Sequence, residues 1–149
     1  MIYADHAATT KISETAKLAM LSAMEKDWYN PSSLYTPGQQ ASGTLMDARV
    51  RIAHCLGCLP KEIYFTSGGS EADNQAILSA AAIGKRQGKM HIISTAFEHH
   101  AVLHTLKKLE KEGFEITLLD VGEKGIVSPA QVEKAIRPDT ALVTVMYAN

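Results

Sequence analysis

A turn of small residues joins an apolar segment to a helix start in residues 63–74, Ile-Tyr-Phe-Thr-Ser-Gly-Gly-Ser-Glu-Ala-Asp-Asn. Without bulky side chains, the backbone N–H groups of Gly68, Gly69 and Ser70 can approach an anion closely. A helix that begins near Ser70 adds the positive end of its dipole, so an anion site, for example for a phosphate, is one interpretation. The other is an ordinary strand-to-helix turn with Ser70 as the N-cap.

A group of histidines supplies the clearest candidate for proton transfer. His99 stands at the start of a helix pattern, and an imidazole offers a flat ring and a pKa near neutral pH. His100 beside it and His104 one turn later are typical of solvated helix residues. The residues alone do not separate a functional His99 from a third solvated histidine.

The two cysteines, Cys55 and Cys58, form a lone C-x-x-C. A zinc site would need a second pair of ligands, and a thioredoxin-like redox pair is an alternative. Cys55 lies near the end of an apolar helical stripe, and Gly57 can end that helix, so the pattern favours small core residues. We predict no metal site.

The composition predicts one soluble, cytoplasmic protein whose partners are small molecules or other proteins. The 149 residues are 46% hydrophobic, and 15 Lys and Arg balance 16 Asp and Glu. A chain without a basic surface is not expected to bind nucleic acid or an anionic membrane. No apolar run reaches the length of a membrane span, and the N-terminus lacks the pattern of a signal peptide.

The alternation of elements predicts an α/β fold with a largely parallel sheet. Ser13 can cap a first helix, and Ser128-Pro129-Ala130-Gln131 is a clear start signal for the last one. Between them the periodicity predicts helices at 39–56, 72–84 and 100–112, and strands at 63–66, 90–94 and 115–119, with a buried strand at 140–146 after the last helix. Such folds bind ligands at the carboxyl ends of the strands. Because the last strand is followed by so few residues, we expect the chain to be the N-terminal part of a longer protein.

Four segments in register resemble the NifS/IscS-like cysteine desulfurases, which are class V aminotransferases among the fold type I pyridoxal-phosphate enzymes. They are residues 3–10, 30–33, 65–74 and 98–103. The resemblance extends over the whole chain and implies the N-terminal part of the large, mostly parallel-sheet domain of the type I PLP-dependent transferase fold. On this basis residues 1–14 are expected on the small-domain side. Residues 15–149 then form an incomplete PLP-binding large domain.

The resemblance also implies a cofactor, pyridoxal 5'-phosphate, and residues that bind it. Gly69 and Ser70 match the family's pair that binds the cofactor phosphate, and His99 matches the histidine that stacks on the pyridine ring and takes part in proton transfer. Asn149 matches the first Asn of the family's Asn-Asn-Glu segment, in the cofactor region. The family's Schiff-base lysine, its pyridine-binding aspartate and its persulfide cysteine match positions beyond residue 149.

The implied activity is conversion of L-cysteine to L-alanine by a homodimer, with sulfur passed to an acceptor or scaffold protein for iron–sulfur cluster or thiolated cofactor assembly. These 149 residues alone are expected to be inactive. A selenocysteine lyase or another class V enzyme is the alternative within the superfamily. A non-catalytic interaction module is the alternative outside it. A nucleotide-binding domain has less support, because the phosphate-loop and dinucleotide fingerprints are absent.

Overall fold

Residues 2–149, which the computed structural model describes, form two compact units, one ending at Phe65 and one spanning Thr66–Asn149. The first unit is helical. It contains α1 (Glu14–Lys26), α2 (Thr36–Leu56) and a 3-10 turn (Pro60–Glu62). The second unit carries the sheet and the residues of the predicted site.

The ends of the first two helices follow the local chemistry of the sequence. The Ser13 hydroxyl accepts a hydrogen bond from the Ala16 N–H at 3.2 Å, so the predicted N-cap of α1 is confirmed. Gly57 ends α2 with φ 67°, in the left-handed region that glycine tolerates. At the other end of α2, a Cβ on Gly38 would lie 2.6 Å from the Ser33 Cβ and 2.7 Å from the Asn30 carbonyl oxygen. Close packing of α2 on this loop therefore requires glycine.

The apolar stripe of α1 is exposed. Leu18, Leu21 and Met24 are each about half or more exposed, as is Trp28, which follows the helix. Cys55 near the end of α2 is exposed too, so the expectation that it belongs to the core is wrong. Neither of these helices nor any other in residues 2–149 is long and apolar enough to cross a membrane.

The predicted strand at 63–66 is wrong, because this segment is not paired in any sheet of the described residues. A strand exists through hydrogen bonds to a neighbouring strand. Here the Ile63 N–H donates to the Pro60 carbonyl, and the Ile63 carbonyl accepts from the Arg49 guanidinium. Phe65 places its ring under the same guanidinium, 4.9 Å away. Local partners therefore replace a ladder.

Three parallel strands in the order β2-β1-β3 form the sheet: β1 (His91–Thr95), β2 (Glu115–Leu119) and β3 (Thr140–Val143). The helices of this unit are α3 (Gly69–Arg86), α4 (His100–Lys111) and α5 (Pro129–Ala135). β2 has the predicted bounds. β3 is shorter than the predicted 140–146, and its residues are half-buried or exposed, so the predicted burial on both faces is wrong here.

The core of this unit lies between β1 and the helices α3 and α4. It comprises Ile77, Ala81, Ile92, Val102, Leu106, Leu109 and Phe114. α3 also packs closely on β3, since a Cβ on Gly84 would collide with that of Ala141. The start of α5 is held by the predicted capping box, in which the Ser128 hydroxyl accepts from the Gln131 N–H and the Gln131 side chain accepts from the Ser128 N–H at 2.8 Å. The core contacts hold α3 and α4, the two helices whose starts carry the predicted site.

Candidate functional site

The first turn of α3 presents free backbone donors. Gly68 is the N-cap in extended backbone, and the first bond of the helix runs from the Ala72 N–H to the Gly68 carbonyl at 3.1 Å. The N–H groups of Gly69, Ser70 and Glu71 therefore precede the helical ladder, and glycine has no side chain to cap them. Ser70 lies inside the first turn, so its interpretation as the N-cap is wrong, and both Gly69 and Ser70 are exposed.

Glu71 adds a negative charge to this turn. Its Oε2 accepts from both the N–H and the hydroxyl of Ser67, each at 2.6 Å. These hydrogen bonds lower the pKa of Glu71, so the carboxylate stays ionised at neutral pH. Any anion at the start of α3 must therefore coexist with a fixed carboxylate, which accepts hydrogen bonds from two donors of Ser67.

His99 is the N-cap of α4, a role that the sequence pattern did not reveal. Its Nδ1 accepts from the Ala101 N–H at 3.1 Å, and the side chain is otherwise exposed. Because Nδ1 acts as an acceptor, the neutral ring carries its proton on Nε2. The helix start thus sets both the orientation of the ring and the nitrogen that can donate.

One cavity of about 440 Å³ brings Ser70 and His99 together. Its other lining residues are Asn74, His100, Ala101, His104, Thr105 and Lys108. The two candidate residues come from the starts of different helices, so the positive ends of two helix dipoles lie at the same cavity. Lys108 adds a cation to that space. His100 and His104 are exposed, as predicted for solvated helix residues.

Asn74 and Thr105 tie the two helix starts to each other, and sequence reasoning missed both. The Asn74 amide donates to the Ser70 carbonyl at 2.7 Å, and its oxygen lies in hydrogen-bond contact with the Thr105 hydroxyl. That hydroxyl lies 2.8 Å from the Ala101 carbonyl. The same turn of α4 that His99 caps is thus linked to the turn that carries Ser70. The asparagine one turn after a glycine-rich helix start is the sequence signal that could have indicated this link.

Asn149 lies in a second cavity, of about 710 Å³, at the carboxyl ends of the strands. Its amide donates to the Phe97 carbonyl at 2.7 Å. The structure therefore does not place Asn149 in the cavity of Ser70. Its side chain is instead hydrogen-bonded to Phe97, which precedes His99 by two residues in the chain.

The metal and redox alternatives find little support in the described part of the chain. Within residues 2–149 no three His, Cys, Asp or Glu side chains are arranged to hold a metal ion. Cys55 is exposed and Cys58 half-buried, and both are free thiols. Neither cysteine lines the cavities that contain the predicted site residues.

Comparison with known proteins points to one family. Residues 2–149 match the family described as aminotransferase class-V. The chain is 49% identical over 148 residues to the putative cysteine desulfurase IscS 1 of Bacillus subtilis, covering 99% of this chain and 39% of that protein. It is 46% identical to the cysteine desulfurase IscS of Methanosarcina thermophila, covering 99% of this chain and 36% of the relative. The chain thus spans about two fifths of the length of these relatives.

Solved structures agree with the sequence matches. A NifS-like protein superimposes on 97% of this chain and 40% of its own, with a TM-score of 0.90 and 34% identity. SspA, solved in complex with cysteine, superimposes on 96% of this chain and 41% of its own, with a TM-score of 0.86 and 38% identity. The α/β architecture with a parallel sheet, as predicted from the sequence, is therefore that of the type I PLP-dependent transferases.

Proposed function

Because the chain belongs to the aminotransferase class-V family, we propose that it forms the phosphate-binding part of a pyridoxal-phosphate-dependent cysteine desulfurase. The observation that carries this proposal is the shared cavity of Ser70 and His99, each placed by the start of a helix. Relatives of the chain are named cysteine desulfurases, and one structural neighbour was solved with cysteine.

The donors at the start of α3 fit the phosphate of pyridoxal 5'-phosphate. Gly69 and Ser70 offer backbone N–H groups and a hydroxyl on an exposed turn, and a Cβ on Gly69 would meet nothing within 4 Å. A phosphate at a helix N-terminus is stabilised by these groups and by the helix dipole. Lys108 in the same cavity contributes a further positive charge.

His99 would face the cofactor ring and handle a proton. Its Nδ1 is engaged by the Ala101 N–H, so the proton available for transfer in the neutral ring is on Nε2. When bound, pyridoxal phosphate supplies the electron sink that makes bonds at the substrate α-carbon labile. Asn149 is a further proposed contact to the cofactor. Its amide is held by a hydrogen bond to the Phe97 carbonyl, in the loop that precedes α4.

The finer properties of the complete protein follow from its family and remain part of the proposal. The substrate is L-cysteine and the products are L-alanine and sulfur, which passes to an acceptor or scaffold protein for iron–sulfur cluster or thiolated cofactor assembly. The protein is a cytoplasmic homodimer. Residues 1–14 belong to the small-domain side and residues 15–149 to the PLP-binding large domain, and these 149 residues alone are inactive.

A cofactor titration tests the phosphate site directly. The complete protein, expressed from the whole reading frame that contains these residues, is prepared without cofactor. Binding of pyridoxal phosphate is then followed by the visible absorption of the cofactor. We expect Ser70→Ala to raise the Kd about tenfold, because one donor to a charged group is lost. Ser79→Ala, an exposed serine further along α3, is the matched control and should leave the Kd unchanged. An equal change of the Kd in both variants would contradict the proposal that Ser70 binds the phosphate.

The reaction is tested by incubating L-cysteine with the protein and a thiol reductant such as dithiothreitol, and by measuring alanine and sulfide. The reductant is needed because sulfur leaves cysteine at the level of elemental sulfur and must be reduced to be detected as sulfide. The complete reading frame should form both in equal amounts, and the 149-residue chain neither. Selenocysteine as the substrate separates the alternative, since a lyase specific for it would leave cysteine almost unused. Absence of alanine from the complete, cofactor-loaded protein would overturn the proposed activity.

A further inference from the structure

Glu98 is a buried carboxylate in the loop between β1 and α4. Only 5% of this residue is exposed, and a carboxylate inside a protein costs free energy unless hydrogen bonds satisfy it. Its Oε1 accepts from the Thr95 hydroxyl at 2.9 Å and from the Met146 N–H at 2.7 Å. The side chain is therefore part of the folded interior and does not act as a surface charge.

The bond to Met146 holds the segment that follows β3. Residues 144–149 have two further hydrogen bonds to β1 and its loop: the Thr144 N–H donates to the Ile93 carbonyl at 2.9 Å, and the Asn149 amide donates to the Phe97 carbonyl at 2.7 Å. Glu98 supplies the middle one of these three contacts. Without it, the exposed amide of Asn149 would supply the one remaining hydrogen bond from Met146–Asn149 to the rest of residues 2–149.

Glu98 lies between the residue that receives Asn149 and the residue that caps α4. Phe97 precedes it, and His99 follows it directly. We propose that Glu98 is a positioning residue, whose contacts with Thr95 and Met146 fix the segment 144–149 against the start of α4. Asn149 and His99 then reach the cofactor from fixed places. The hydrogen bonds stand by themselves, whereas their effect on the cofactor rests on the proposed function.

The reach of this side chain matters more than its charge, because both hydrogen bonds end on the same oxygen. Glu98→Gln keeps an acceptor oxygen at the same distance from the backbone and removes the charge. Glu98→Asp keeps the charge and withdraws the carboxylate by one methylene. A positioning role therefore predicts that Gln resembles the wild type and that Asp does not, whereas an electrostatic role predicts the reverse.

The experiment measures hydrogen exchange in the peptide covering residues 144–149 of the complete, cofactor-free protein, followed by titration with pyridoxal phosphate. We expect Glu98→Asp to speed exchange at the Met146 amide about tenfold and to raise the Kd of the cofactor about tenfold. Glu98→Gln should stay within about threefold of the wild type in both. Glu110→Asp, an exposed glutamate on α4, is the control and should change neither.

Unchanged exchange in Glu98→Asp would overturn the proposal, as would faster exchange with an unchanged Kd, or Glu98→Gln behaving like Glu98→Asp. If Glu98→Asp does not fold, Thr95→Val removes one donor and keeps the carboxylate, and exchange at Met146 should then rise about threefold. A wild-type protein that does not bind pyridoxal phosphate would contradict the proposed function. The exchange rates would still decide whether Glu98 holds this segment.

Discussion

Polar side chains are used in opposite ways at the two ends of the parallel strands. We call these ends the N-terminal edge and the C-terminal edge of the sheet. At the N-terminal edge, both ring nitrogens of buried His91 lie 2.8 Å from hydroxyls, those of Thr140 and Thr117 on the neighbouring strands. Arg137 there donates to Glu115 at 2.6 Å and to Asp139 at 3.1 Å. Every one of these groups has its partner within the fold. Such an arrangement stabilises the structure and leaves nothing for a ligand.

At the C-terminal edge the polar groups keep unused capacity. His99 engages one ring nitrogen and leaves the other exposed, and the first N–H groups of α3 precede its ladder. The polar groups at the two ends of the strands therefore have different capacities to bind a ligand. A polar group whose bonds are complete within the chain holds the fold, whereas one with a free donor at a helix start can bind a ligand.

Replacing His99 should give the largest effect and should fall on activity. In the complete protein, His99→Ala is expected to lower kcat by about 10²- to 10⁴-fold through loss of a proton-transfer group. Stability should fall by only about 1 kcal/mol, for the lost helix cap. Steady-state kinetics and urea unfolding measure the two quantities. His104→Ala, an exposed residue of the same cavity, is the control, and equal losses of kcat in both variants would contradict the role of His99.

Replacing His91 should give the second effect and should fall on stability. We expect His91→Ala to lower the free energy of unfolding by about 3 kcal/mol, because it leaves a cavity beside two hydroxyls that each lose one hydrogen bond. Urea unfolding followed by circular dichroism gives the value. Where the variant is folded, its affinity for pyridoxal phosphate should equal that of the wild type. A variant with normal stability but weak cofactor binding would contradict the assignment of His91 to the stability of the fold.

Acid should weaken the N-terminal edge through the same histidine. Burial lowers the pKa of His91 below its ordinary 6.5, and the Arg137 guanidinium lowers it further. The unfolded chain therefore binds a proton that the folded one resists, so stability is complete above pH 6.5 and falls as the pH drops below it. The expected slope is at most about 1.4 kcal/mol per pH unit.

Urea unfolding at pH 7.0, 6.0 and 5.0 measures this slope, and His91→Gln should flatten it. Glu115 and Asp139 do not obscure the result, because Arg137 lowers the pKa of both carboxyls and their protonation lies at more acid pH. The same slope in the wild type and in His91→Gln would assign the acid sensitivity to other groups.

The smallest effect is expected for Glu115→Gln. It removes one of the two carboxylates that pair with Arg137, but this carboxylate is largely exposed and water screens the pair. The midpoint of thermal unfolding should stay close to that of the wild type, while His91→Ala lowers it clearly. A loss as large as that of His91→Ala would mean that the ion pairs, and not the buried histidine, hold this edge.

Local signals in the sequence predicted the elements whose ends depend on their own residues. The capping box of Ser128 and Gln131, the cap at Ser13 and the stop at Gly57 are all confirmed. The predicted strand at 63–66 is wrong, because strand formation depends on a pairing partner that the segment itself does not specify.

For the candidate site, motif order predicted Ser70 and His99, which the structure brings into one cavity. It did not identify the residues that hold them there. Asn74, Glu98 and Thr105 act through contacts between segments 27 to 48 residues apart, and no local period encodes such contacts. Their contacts depend on the sheet order β2-β1-β3, because strand order determines which loops are neighbours in space.

We propose that the start of α3 binds the phosphate of pyridoxal phosphate while His99 faces the cofactor ring. A crystal structure of the complete protein with the cofactor tests it most directly. We expect phosphate oxygens within hydrogen-bond distance, about 2.7–3.2 Å, of the Gly69 and Ser70 nitrogens, with the imidazole of His99 against the pyridine ring. A phosphate bound elsewhere, with the first turn of α3 facing water, would contradict it.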